Sequence, residues 1–480
     1  MMIQKVLRED SETSIDFCLS SEMARRIELW ARMYENRPPW RGDHVRPIGL
    51  PVAIAGEVAR LVTLELKTEC KGSRRAEFIN SEYQKIIDRI RIPVEYGCAK
   101  GGLIFKPYPT ATGVNVQTIQ ADCFFPIAFD SSGNISYCAF LEQFRKGNKI
   151  YSRIELHELK KDILTIKNRV FLSTNDFSLG SEININMVDR WAELVPEVSF
   201  TNVDKLPFGY FKVPLANAAD SDSPLGVSVF SRAVELIKEA DKRYSQINWE
   251  YESKETAVHI AQSLLKLNPQ TQQYEYPEGK ERLYREFEYN VGAADKPLLD
   301  VFSPEIRDQS YYNGMNNQLR LIEFNCGLAY GTLSDPNNVD KTAEEIKTSK
   351  QRSYQTVSDA QAALQKALED MVYGIDFYAS VYELAPMGDY TLSFTWDDSI
   401  VRDIDAIIDK NTKLTGAGLR SKLSAIMEID KCTEEEAKEE LKRIMEEGRI
   451  TGQDIDWTDG DGKEGGINEP PGEPESGGEG

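Results

Sequence analysis

VSVFSRAVELIKEADKRYSQINWEY, residues 227–251, sets the plan of this chain. Phe230, Val234, Ile237, Tyr244, Ile247 and Tyr251, with Val258 beyond, recur at steps of three and four or their sum, the period of an amphipathic helix. The stripe leans on tyrosine and stands among Glu, Lys, Arg and Gln. Two readings fit it: a helix packed against copies of itself, and a long core helix of a monomer. Ser223-Pro224 supplies a cap and a first helical position, and no proline interrupts the run before Leu267.

Working outward, residues 268–300 are broken by Pro269, Pro277, Gly279 and Pro297, with a short strand expected at Arg285 to Tyr289. A return helix follows Ser303-Pro304 and places Ile306, Tyr312, Met315, Leu319, Ile322 and Cys326 on one side. After the break Gly331-Thr-Leu-Ser-Asp-Pro336 a third helix, capped near Asp340 or Thr342, carries Ile346, Val357, Ala360, Leu364, Leu368, Met371 and Ile375. Its first half is polar, with Lys347, Lys350 and Arg352, as expected of a helix that crosses a surface or lines a space. Those cations suit either an approach to nucleic acid or a solvated face.

Toward the N-terminus, helices are expected over 11–35, 51–66 and 75–91, the last stopping at Ile92-Pro93. From Gly102 to Phe211 short alternating runs separated by turn residues predict a sheet, with strands at 103–108, 114–119, 124–129, 135–145, 149–159 and 164–171. His157 alternates with Glu155 and Leu159 and is expected on a solvated strand face. Beyond the third long helix come a strand at 390–396 and short helices at 400–410, 419–429 and 432–447, the last with Thr433 and Glu436 in capping-box positions. The fold class is α+β and multi-domain. The Gly, Pro, Glu and Asp of residues 451–480 predict a disordered acidic tail.

Composition excludes several functions. A net charge of −21 over 480 residues argues against a nucleic-acid clamp but not against a passage in which phosphates slide ungripped. Seven cysteines without a close CxxC pair predict reduced, mostly buried thiols and no zinc. No signal-like start and no run of eighteen apolar residues occur, so synthesis in a cytoplasm and no membrane partner are expected. P-loop, dinucleotide, HExxH and GxSxG motifs are lacking, and no cofactor or resident metal is expected. Asp397, Asp398 and Asp403, with Asp405, are the one carboxylate group able to suggest a metal-dependent nuclease, and helix capping explains them as well. The chain is expected not to be an enzyme.

In order and texture over residues 10–450 the chain resembles the phage portal proteins of siphophages of Gram-positive hosts. The residues that carry the resemblance are the helix at 227–251 with Asp241 and Asn248, the Gly331-Thr-Leu-Ser334 break, the start Lys341-Thr-Ala-Glu-Glu-Ile346, and the ending Ser421-Lys-Leu-Ser-Ala-Ile-Met427 with Thr433-Glu-Glu-Glu-Ala-Lys-Glu-Glu-Leu-Lys-Arg-Ile444. Relatives commonly place a serine and a glycine before that lysine, where this chain has Asn338-Val339-Asp340.

The resemblance implies a ring, usually of twelve subunits, at a capsid vertex of the virion, built in the host bacterial cytoplasm. It also implies as partners double-stranded DNA, the terminase large subunit, the head-tail adaptor, and the major capsid and scaffolding proteins. Carried over, it assigns 1–226 to a wing, 227–254 and 304–326 to stem helices, 255–303 to a clip and 327–341 to a tunnel loop. Residues 342–397 become the long wing helix with its strand, and 398–450 the helical crown. Thr332, Leu333, Ser334, Lys341, Lys347, Lys350 and Arg352 are thereby expected at the DNA channel, and Val234, Ile237, Tyr244, Ile247 and Tyr251 at the subunit interface. The alternatives are the nuclease and a capsid-associated scaffold protein that forms no ring.

Overall fold

The computed structural model describes residues 20–451 other than 65, 131–132, 176–177, 222, 255, 271, 273, 276–282, 288–298, 336–342, 397–403 and 431–433. The chain divides into two compact units, residues 1–401 and 402–480.

The described part of the first unit begins with α1 (Ser21–Tyr34) and α2 (Leu50–Thr63). Ser20 lies in extended backbone and its hydroxyl accepts the Met23 N–H at 3.0 Å, satisfying a donor that a helix start leaves open. Met23, Ile27, Trp30 and Met33, four and three apart, are the buried stripe of α1. The expected start at residue 11 lies outside the described residues. Helix α2 stops short of its expected end, because β1 (Leu66–Gly72) pairs antiparallel with β16 (Tyr390–Trp396), Leu66 opposite Trp396 and Gly72 opposite Tyr390. A strand made by so distant a partner leaves no local period to read. Gly72 has φ +142°, and a Cβ there would lie 2.6 Å from the Asp389 carbonyl oxygen, so the exit from β1 requires glycine.

The helix expected to stop at Ile92-Pro93 is two helices, α3 (Arg74–Ile87) and α4 (Arg91–Lys100). Pro93 sits in the first turn of α4, where its missing N–H has no intrahelical partner to lose. Strands β2 (Gly102–Thr110), β3 (Gly113–Gln120) and β10 (Gly209–Lys212) form one antiparallel sheet with β2 central. A second antiparallel sheet is the meander β4 (Phe124–Phe129), β5 (Ile135–Lys146), β6 (Lys149–Lys160) and β7 (Ile163–Ser173). The short strands β8 (Ser181–Ile183) and β9 (Glu197–Thr201) pair with the two ends of β7. Gly147 at φ +62° and Lys161-Asp162 at +49° and +61° make the tight turns on either side of β6. Each of the six strands expected between 103 and 171 is present.

His157 corrects the expectation of a solvated face. It is 1% exposed, its Nε2 lies 2.7 Å from Glu155 Oε1, and its ring meets Phe140 and Phe208 edge-on at 5.1 and 6.4 Å. The polar members of this face of β6 are buried because Lys106 of β2 ion-pairs with Glu155 at 2.6 Å and Arg153 approaches it at 3.1 Å. Burial pushes the Glu155 carboxyl up, but Lys106, the His157 hydrogen bond and Arg153 outweigh it and hold the group well below the usual range. For His157 burial is the larger influence and lowers the imidazole, against the pull of Glu155.

The unfolded chain therefore takes up a proton on His157 below about pH 6.5 that the fold resists, and one on Glu155 below about pH 4.5. The stability these groups lend is present above those values and lost as pH falls. The thermal midpoint is expected to decline first as pH falls below about 6.5, and His157→Gln to flatten the onset of that decline. A variant with an undiminished slope there would assign it to other groups.

Helix α5 (Val234–Ser253) starts later than Ser223-Pro224 suggests. Residues 225–230 are buried and cross the core without helical structure. A Cβ on Gly226 would lie 2.0 Å from the Gly101 oxygen, and the Val229 N–H donates to Cys98 O at 3.0 Å. Such a close passage leaves no room for a helix, which begins only after a 3₁₀ turn at Ser231–Ala233. Phe230 therefore precedes α5. Val258 lies beyond it, in β11 (Ala257–Ala261), the centre of a small sheet flanked by β14 (Tyr284–Phe287, parallel) and β15 (Leu299–Phe302, antiparallel). The hairpin β12 (Lys266–Leu267) and β13 (Tyr274–Glu275) completes the described insert.

The return helix α6 (Asp308–Cys326) runs antiparallel to α5, as three cross-contacts show. Gln318 Nε2 donates to Leu236 O at 3.1 Å, Arg243 to Gly314 O at 3.4 Å, and Arg307 engages Glu250 at 2.9 Å. Helix α7 (Ala343–Val381) buries Val357, Ala360, Leu364, Leu368, Met371 and Ile375 of the expected stripe in the main core, and the Ile346 side chain lies outside the described residues. It lies hard against β10, where a Cβ on Gly209 would reach within 1.8 Å of Ala367 O.

The second unit holds α8 (Ile404–Gly416), α9 (Lys422–Asp430) and α10 (Glu434–Thr451). Glu428 of α9 draws in Lys410 of α8 at 3.2 Å and also Arg420. Thr433 of the expected capping box and the expected tail from 452 onward lie outside the described residues.

Candidate functional site

The break Gly331-Thr-Leu-Ser334 is folded around one carboxylate. Helix α6 ends at Gly327, which takes φ +71°, and a Cβ there would meet Thr356 Oγ1 of α7 at 2.5 Å. The chain then turns back along the helix it has just left. Glu323, fully buried, points into that turn. Its Oε1 accepts the backbone N–H groups of Gly331 (3.1 Å), Leu333 (2.6 Å) and Ser334 (2.9 Å), and its Oε2 accepts the Ser334 hydroxyl at 2.9 Å. Two turns earlier Asn316, also buried, accepts the Asp335 N–H through Oδ1 at 2.7 Å. A buried carboxylate is tolerated only when its oxygens are filled, and here four donors fill them.

A cation closes the other side of the loop. The Arg352 guanidinium of α7 lies 4.3 Å from the Phe324 ring centre and 5.4 Å from that of Tyr330, and Nη2 donates to Leu328 O at 3.4 Å. The Thr332 hydroxyl donates to Ala329 O at 2.6 Å. Residues 327–335 are thus tied to both α6 and α7.

This geometry sorts the residues expected at a channel. Thr332 is exposed, Leu333 is half-buried against the main core, and Ser334 is buried in the grip of Glu323. Lys350 is exposed, whereas Arg352 is half-buried and shapes the loop. Lys341 and the Lys347 side chain lie outside the described residues, as do Asp397, Asp398 and Asp403. Among the described residues no group of three or more His, Cys, Asp or Glu side chains could hold a metal ion. No described helix is long and apolar enough to cross a membrane.

The stripe expected at a subunit contact divides in two. Val234, Ile237 and Ile247 are 7%, 0% and 3% exposed and belong to the chain's own core, together with Met315, Ile322 and Cys326 of α6. The physical reason is the antiparallel return of α6, which covers that side of α5. Tyr244 and Tyr251 remain exposed, and Tyr251 hydrogen-bonds Tyr312 of α6.

Sequence reading missed Glu323, Asn316 and Glu250. Asn316 and Glu323 are seven apart and flank the Met315 and Ile322 stripe, so two polar residues at a stripe's edge just before a glycine break were the available signal. Glu250 joins the start of α6 to the end of α5. Arg307 reaches it through Nε at 3.1 Å and Nη2 at 2.9 Å, Lys254 stands 3.6 Å away, and the Arg307 hydrogen bonds hold the carboxyl down at about 2.

The family model for phage portal proteins of the SPP1 Gp6-like kind matches residues 75–453. Among solved structures, a chain in the neck of a native GTA particle computed with C12 symmetry is similar, with a TM-score of 0.37 and 11% identity over 79% of this chain and 90% of that one. No curated protein matches significantly.

Proposed function

The chain belongs to the phage portal protein family of the SPP1 Gp6-like kind, and from that membership we propose that twelve copies of it form a ring at one capsid vertex through which double-stranded DNA enters and leaves. It is a portal-type, non-catalytic protein of this family. In this reading the terminase large subunit docks on the ring during packaging and the head-tail adaptor replaces it later. Major capsid and scaffolding proteins surround it at the vertex, after synthesis in the host cytoplasm.

One observation carries the reading. The matched residues 75–453 take in both antiparallel helices, the inserted small sheet, the Glu323 loop, α7 and the second unit as far as residue 453. On that basis residues 1–226 with 342–397 serve as wing, α5 and α6 as stem, 255–303 as clip, 327–341 as tunnel loop and 398–450 as crown. Thr332 and Lys350 present themselves to the passage, with Lys341 and Lys347, while Ser334 and Arg352 hold the loop in shape. Tyr244 and Tyr251 are the part of the stem stripe left to meet a neighbour. A net charge of −21 on each copy keeps most ring surfaces from holding DNA.

Negative-stain electron microscopy with mass measurement in solution tests the proposal. Closed rings of twelve protomers are expected. A protein that stays monomeric at micromolar concentration would remove the ring and favour the scaffold alternative. No specific observation favours the nuclease.

A further inference from the structure

We infer that the cleft between the two larger sheets of the first unit binds an extended, uncharged, proline-bearing segment of a protein other than this one. The cleft has a volume of about 1080 Å³ and is walled by α3 and α4, strands β2 and β3, the β5–β7 meander, residues 189–200 and the end of α7. The first ground is charge. On the floor Lys106 pairs with Glu155 at 2.6 Å, and Arg153 reaches Glu142 at 2.9 Å and Asn168 at 3.0 Å. Glu142 also takes Arg190 at 2.9 Å and the Trp191 ring N–H at 3.2 Å. Of the charges on the lips, Asp189 is paired with Lys146 at 3.6 Å, which leaves Arg89 on the helical side and Glu193 on the opposite side exposed and without a partner. What remains sums to zero. A phosphate backbone or an acidic segment meets no net cation here, and the electrostatic complement of the cleft is an uncharged chain.

The second ground is hydrogen bonding. Tyr96, Tyr108, Tyr378 and Tyr382 line the cleft, and none of their hydroxyls has a hydrogen-bond partner. Tyr378 is the most telling, because it is 5% exposed and burial, with the charge of Glu155, pushes its phenol up, so that it stays a neutral donor. A donor in so buried a place is costly until an acceptor is brought to it. A polyproline-type segment brings such acceptors, since its carbonyls have no internal partners and its rings pack flat on aromatic side chains. Tyrosine supplies both the ring and the donor. Ile92 and Val195, 59% and 58% exposed, carry apolar surface out onto the two lips. A second copy of this chain suits the cleft less well, because at −21 its surface is acidic and the cleft offers it no net cation.

The experiment titrates the full-length protein with a decaproline peptide blocked at both ends, and with a Gly-Ser decapeptide and decaglutamate, by calorimetry. Decaproline is expected to bind with a Kd of about 100 μM or tighter, and the other two about tenfold more weakly or worse. Tyr378→Phe removes one hydroxyl and should weaken decaproline about three- to tenfold, and Tyr382→Ala about tenfold. Both variants should keep the thermal midpoint and the particle mass of the unsubstituted protein. No binding of decaproline at about 1 mM overturns the inference. Equal binding of the Gly-Ser peptide does so too, and tighter binding of decaglutamate would make the ligand acidic. Unaltered affinity in both variants would place the peptide elsewhere, and loss of the ring in Tyr382→Ala would make the cleft a contact between copies; either result overturns the inference.

Discussion

Glu323→Ala is expected to release the loop at residues 331–335 while the rest of the first unit stays folded. The substitution leaves the Leu333 and Ser334 N–H groups and the Ser334 hydroxyl without their acceptor, while the Gly331 N–H keeps only the Ser334 hydroxyl oxygen at 3.2 Å. Each stranded donor costs about 1–3 kcal/mol, more than a loop with one half-buried leucine recovers by staying closed. The least costly relaxation is local opening. Hydrogen exchange at Gly331, Leu333 and Ser334 should then quicken by about a hundredfold or more, with the amides of α7 unchanged. Glu323→Gln keeps one carbonyl acceptor and should lose roughly tenfold. Unaltered exchange in Glu323→Ala would mean that other contacts hold the loop.

The second large effect separates the protomer's own core from its contacts with other copies. Ile237 is fully buried between α5 and α6. Ile237→Asp loses the burial of a whole side chain, about 2–5 kcal/mol, and adds a carboxylate with no partner, which costs several kcal/mol more. Domains have a margin of about 5–15 kcal/mol, so this variant is expected to be recovered unfolded or aggregated. Tyr244→Asp, at a position 39% exposed, should change protomer stability by about 1 kcal/mol or less yet weaken the ring. Circular dichroism melting with light scattering reads both. A folded Ile237→Asp protomer that fails only to assemble would return this residue to the subunit interface.

Much of the chain was legible because its signals are local. Strands 124–129, 135–146, 149–160 and 163–173 follow one another through short turns, so alternation and turn residues suffice to locate them. The Val357 to Ile375 stripe announced α7 for the same reason. Errors fell where a distant partner overrode the local pattern. Residues 66–72 became a strand because Tyr390–Trp396 lies beside them, and residues 224–230 lost their helix to the close passage at Gly101. His157 and Glu155 looked solvated because the lysine that lets them be buried stands on another strand.

The candidate site followed the same division. The GTLS break and the helix after it marked the place, yet the residues that shape it, Glu323 and Asn316, lie on the preceding helix and are related to the loop only through the chain reversal at Gly327. By itself the sequence determined the order of elements, the acidic balance, the family resemblance and the position of the loop, since each is written in composition, period or contiguous motif. Which face of α5 the protomer keeps for itself, and that Glu323 and Arg352 engage the loop from two different helices, were decided by tertiary structure alone. A side chain's burial and partners depend on what folds back against it, and for α5 and the loop that is α6, more than fifty residues from one and adjoining the other only after the turn.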